Sequence, residues 1–288
     1  MASIVVLVIL AWEIHLRQNG YDLSYFDDPA LWSHKRDMVY EDPTKATVFI
    51  GSSRIKFDLD IDYWEKTTGN HAIQLANVGS TPLPILDHLA EDENFKGNLV
   101  VDVTEGLFFS SDPGNAWRPA ENLAYYKDHT PAQTAGFYIS QALESQLVFL
   151  DKENLALNVF LDKLPIENRK GVFHFPGFPD QFGRVMFNRQ EYMTNAFAAD
   201  TAQCNIVKNI WDGFRKASKT PPASGGKLDT LINQVKMATD KIKARGGTVL
   251  FVRTPSSGPM LMGEGMGFPR DKYWNRILQA TGCPGIHF

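Results

Sequence analysis

Cysteine is scarce: the 288 residues contain two, Cys204 and Cys283. No CxxC pair and no Cys/His cluster at ligand spacing accompanies them, so no metal site is expected; a disulfide between them is allowed but not implied. Basic runs are lacking too. No stretch of five or more Lys/Arg occurs and the formal charge is −4, which leaves a nucleic-acid partner without an electrostatic footprint. Neither GxGxxG nor a P-loop is found, removing the usual dinucleotide and nucleotide fingerprints. With 43% hydrophobic and 22% charged residues, the chain nevertheless has the composition of a folded protein with a sizeable core.

The longest apolar run is short. Residues 2–12, ASIVVLVILAW, would rise roughly 16 Å as a helix, about half of a ~30 Å hydrocarbon core. No basic segment precedes the run and no A-x-A-like cleavage site follows it. Two readings stand: part of a signal anchor that begins upstream of Met1, or a short buried strand or helix. The anchor is the expectation adopted, with residues 13–45 as a connector and the protein membrane-anchored and extracytoplasmic, in a periplasm or at a cell surface.

Beyond residue 45 strands alternate with helices. Apolar, β-branched or aromatic segments at 46–50, 73–81, 98–109 and 248–258 read as strands, and Gly285–Phe288 starts a fifth. Leu228, Leu231, Ile232, Val235 and Ile242 recur at helical spacing before Gly246 and Gly247. This alternation predicts an α/β fold, a three-layer α/β/α sandwich around a parallel, flavodoxin-like sheet. The domain spans 46–288, and its long interval 107–226 reads as an insertion forming a cap, with 219–227 (KTPPASGGK) as a flexible return linker.

Ser53 lies just past the first strand, in Ile50-Gly51-Ser52-Ser53-Arg54. Open α/β sheets bind ligands at the carboxyl ends of their strands, where backbone N–H groups also face a developing oxyanion. The alternative role for Ser52 and Ser53 is to cap the next helix. Arg54 and Arg253 fall near strand ends; they are candidates for binding an anionic substrate group or for pairing with Asp58 or Asp102. His174, in the aromatic stretch 171–183, is a weaker candidate for lining a cleft.

Apolar strand, Gly-x-Ser, then a second strand ending in Asn77-Val78-Gly79 resembles the first two sequence blocks of SGNH/GDSL hydrolases. Val252-Arg253-Thr254-Pro255 and the apolar N-terminus are similar to membrane-anchored envelope members. The resemblance covers roughly 46–110 and 227–288. It implies Ser53 as nucleophile, with the N–H groups of Ser53 and Gly79 in the oxyanion hole, and no cofactor. The implied activity is that of a serine esterase or O-acyltransferase acting on acyl esters of envelope carbohydrate or lipid. Two departures stand out. Where the family has a block-three asparagine, this chain reads Asp102-Val103-Thr104-Glu105-Gly106; Thr104 is the weak substitute donor, and the Glu105 charge would oppose an oxyanion. The family's Asp-x-x-His is absent, and His287 is the only late histidine. The expectation is a chain that stops before that block, with the general base beyond residue 288; the alternative is an inactive SGNH-like domain that binds or scaffolds envelope polymers.

Overall fold

A computed structural model describes residues 2–152, 155, 159, 161, 177–217 and 220–288. The chain divides into two compact units. One comprises Trp32–Asp128, Asn188–Gln190 and Lys219–Phe288; the other comprises Met1–Leu31, His129–Phe187 and Glu191–Ser218.

The first unit is built on five parallel strands: β1 (Ala46–Ile50), β2 (His71–Gln74), β3 (Asn98–Asp102), β4 (Thr248–Arg253) and β5 (Gly285–His287). Their spatial order is β2-β1-β3-β4-β5, the flavodoxin-like order, and the α/β three-layer expectation holds. Every residue of β1 is buried, as its unbroken ATVFI run requires of a strand covered on both faces. Alternate residues feed two cores. Val48, Ile50, Leu99, Val101, Val249 and Phe251 pack beneath the long helices, whereas Phe49, Ala72 and Val100 join Ile55, Ile61 and Trp64 on the opposite face.

Helices α1 (Ser53–Asp58) and α2 (Ile61–Thr68) cover that second face. The first face is covered by α3 (Leu83–Glu91), α4 (Gly225–Ala244) and α5 (Trp274–Thr281), the middle one being the amphipathic helix read from the sequence. The segment expected to be a flexible linker is docked over its described part. Ala223 is buried, its N–H donates to Phe109 O at 2.9 Å, and its carbonyl accepts from the Tyr273 hydroxyl at 3.0 Å.

The free edge of β2 is occupied by side chains. Glu65 Oε1 accepts from the Ala72 N–H at 3.1 Å, and Arg189 donates to the carbonyls of Gln74 (2.7 Å) and Ala76 (3.1 Å). Arg189 is fully buried and takes φ +67°, a left-handed conformation unusual for a side chain of its size.

In the second unit the N-terminal apolar run is not a buried element. It lies in one 17-residue helix, Ala2–Gln18, that rises about 26 Å and carries Glu13 and Arg17 in its second half. No helix among the described residues is long and apolar enough to cross a membrane. The membrane anchor, the membrane as a partner and the localisation built on them are therefore corrected. Residues 4–8 are more than half exposed. The distal turns hold the helix in its unit: Leu16 packs with Val148 and Leu155, and Glu13 accepts from the backbone N–H groups of Val148 and Phe149, both at 3.0 Å. Residues 13–18 thus continue the same helix instead of forming a connector.

Candidate functional site

The chain reverses its direction of travel across the sheet between β1 and β3, so the carboxyl ends of these two strands flank the switch point. Register places Ile50 beside Val101 and Asp102 beside Val252, which brings Gly51, Asp102 and Arg253 to one end of the sheet. Gly51 is required there by crowding. A Cβ at this position would lie 2.5 Å from Asp102 Cβ and 2.7 Å from Ile55 Cγ2.

The two serines that follow have different fates. Ser52 is the N-cap of α1: its Oγ accepts from the Arg54 N–H at 3.3 Å. It also meets Thr104 Oγ1 at 2.6 Å, and both hydroxyls reach Asp102 Oδ2, Thr104 at 2.8 Å and Ser52 at 3.4 Å. Thr254 Oγ1 donates to the other carboxyl oxygen of Asp102 at 3.1 Å. The Ser52 hydroxyl is buried and spent. Ser53 is the first residue of α1, half-buried, and its hydroxyl makes no hydrogen bond among the described residues.

The same bonds bear on Thr104. Its one hydroxyl proton is directed at Asp102, so it reaches an oxyanion only by giving up that bond. Asp102 itself is completely buried, and that burial pushes its carboxyl up to about 6 against the pull of the Thr104, Ser52 and Thr254 hydrogen bonds.

Gly79 sits in the loop after β2 at φ +64°, exposed, with open space around it. That loop is tied to the end of β1: the Asn77 N–H donates to Gly51 O at 3.0 Å. Asn77 Oδ1 in turn accepts from Asn122 Nδ2 at 2.6 Å, a buried amide pair that no motif announces.

Arg54 and Arg253 are paired, with glutamates and not with Asp58 or Asp102. Arg253 Nε donates to Glu105 Oε1 at 2.9 Å, and Arg54 Nη1 stands 3.7 Å from Glu105 Oε2. Both guanidinium groups also donate to Glu264, Arg54 to Oε1 and Arg253 to Oε2. Ser256 Oγ completes the cluster, 2.8 Å from Arg253 Nη2 and 2.7 Å from Glu264 Oε2. Glu105 therefore shares the two guanidinium groups with Glu264. Glu264 comes from a helix the sequence did not reveal, α6 (Gly258–Gly267; it precedes α5 in the chain).

The histidines do not complete a triad. His287 lies on β5, three strands from β1, and at about 4.8 Å per strand that is roughly 14 Å. Its ring packs edge-on against Trp274 at 5.2 Å, and burial, then Arg270 and Arg253, hold it below the usual histidine range. No histidine among the described residues hydrogen-bonds to Ser53. His174 lies outside the described residues.

No protein-family model, no curated protein and no solved structure matches the chain.

Proposed function

We propose that the chain is a serine esterase or O-acyltransferase of the SGNH/GDSL type, with Ser53 as the nucleophile. The observation that carries this reading is the division of labour in Gly51-Ser52-Ser53: one hydroxyl is consumed as a cap, and the next stands uncommitted at the switch point. Ser53 Oγ attacks the acyl carbonyl, forming the C–O bond of an acyl-enzyme. Its proton passes to a general base and then to the departing alkoxide. The N–H groups of Ser53 and Gly79 receive the negative charge on the carbonyl oxygen. Water completes hydrolysis, or a second hydroxyl completes transfer, and acyl esters of carbohydrate or lipid are the substrate class.

A second reading is favoured by the absence of any histidine hydrogen-bonded to Ser53 among the described residues: an inactive SGNH-like domain that binds acylated polymers. Labelling of the full-length protein with a fluorophosphonate decides between them. The enzyme reading expects labelling of the wild type that Ser53→Ala abolishes. Equal labelling of both, or none in a folded wild type, sinks it.

A further inference from the structure

We infer that Arg54, Arg253 and Ser256 form a carboxylate-binding subsite beside Ser53, and that the Glu264 side chain occupies it as an internal stand-in for a substrate carboxylate. The geometry is that of a bound ligand. One carboxylate oxygen receives Arg54, the other receives Arg253 and Ser256, and a planar guanidinium fork is suited to such an oxyanion. Arg253 is 2% exposed, so the site is built, and Arg54 shares the first turn of α1 with Ser53.

The element that carries Glu264 is weakly held. No residue of α6 is buried, and Met260, Leu261, Met262 and Met266 are 47–79% exposed. Gly263 and Gly265 flank Glu264, and glycine is a poor helix former. Apart from Glu264, its polar tie to this cluster among the described residues is a long contact of 3.7 Å between Arg54 Nη2 and Met260 Sδ. Withdrawal of Glu264 would cost both guanidinium groups their shared carboxylate, leaving Glu105 as the other ion-pair partner while Asp58 and Asp102 act on Arg54 from further off. Within that cluster Arg54 Nη1 already lacks a hydrogen-bond partner. A free carboxylate entering the fork restores the hydrogen bonds of Arg54, Arg253 and Ser256, and α6 swings away with its own.

This inference rests on the Ser53 reading for its meaning: the ester accepted would carry a carboxylate in its acyl or alcohol part. Its test does not. Succinate binding to the full chain is measured by calorimetry for the wild type, Glu264→Gln, and Glu264→Gln combined with Arg54→Gln. An internal occupant lowers apparent affinity by the fraction of molecules whose fork is free, so Glu264→Gln should bind at least about tenfold more tightly than the wild type. The second substitution should remove that gain. Ser53→Ala should bind succinate as the wild type does, whether or not it is labelled by a fluorophosphonate, which separates failure of the subsite from failure of the nucleophile. In the wild type, saturating succinate should speed amide exchange across 258–267. A folded Glu264→Gln that binds no better than the wild type, or exchange in 258–267 that is unchanged while succinate binds, overturns the proposal.

Discussion

Single residues at the end of β1 make the sharpest predictions. Gly51 has no room for a methyl group, since its Cβ would fall 2.5 Å from that of Asp102. Gly51→Ala should therefore destabilise the protein by about 3 kcal/mol, the upper end of overpacking penalties, measured as a lowered urea midpoint. The glycine was legible as the end of a strand; the crowding that demands it was not, because Asp102 lies on another strand, far along the chain. Asp102 gives a pH signature. Its carboxyl is raised from 3.8 to about 6 by burial, so between those values the folded chain keeps a proton that the unfolded chain has released. The contribution of Asp102 to stability falls as pH rises through that window, by about 3 kcal/mol at about 1.4 kcal/mol per unit, and is constant outside it. Asp102→Asn should lack this loss, so its stability relative to the wild type should improve between about pH 4 and about pH 7 in paired urea titrations. Equal pH slopes for the two proteins would count against a raised Asp102.

Elements were legible where composition or periodicity is strong. The strands β1 and β3 announced themselves through buried apolar runs, and the 228–242 pattern became α4 with its apolar stripe against the sheet. Two elements misled for a physical reason. The run at 2–12 has no polar face, a pattern that belongs to buried helices or membrane spans, yet it projects from its unit on the strength of Glu13 and Leu16 further along. Leu7→Lys with Leu10→Lys should then shift the thermal midpoint little, corresponding to about 0.5 kcal/mol or less, since 65% and 50% of these residues is already exposed. Conversely, α6 is Met- and Gly-rich and carries no periodicity, so neither it nor Glu264, which is 210 positions from Arg54, could be read in advance. Filling Gly263 and Gly265 with alanine meets open space and should add about 1 kcal/mol of helix preference at each. Slower amide exchange across 258–267 is the expected outcome.

At the scale of the whole molecule, the division into units fell elsewhere than composition had indicated. The expected insertion ran from 107 to 226; the unit begins at His129 and takes in the N-terminal 31 residues. Sequence adjacency cannot show that a chain start and a distant segment share a core, as Leu16 and Val148 do. Every residue assigned to the site belongs to the sheet unit. The other unit has its own buried ion pair, Arg184 to Asp151 at 2.6 Å. Asp151→Asn should cost about 3–5 kcal/mol by stranding a buried cation, yet leave the rate of fluorophosphonate labelling at Ser53 unchanged while the protein stays folded. A labelling rate that falls with stability would show that the site depends on that unit.

Arg189 has a consequence for self-assembly. Its guanidinium satisfies the carbonyls of Gln74 and Ala76 where a further strand would dock, so one border of the sheet is closed to recruitment by a foreign peptide. The opposite border, β5, has no such plug among the described residues. Arg189→Ala should open the β2 border to a further strand: faster, concentration-dependent fibre growth in light scattering is the mark to look for.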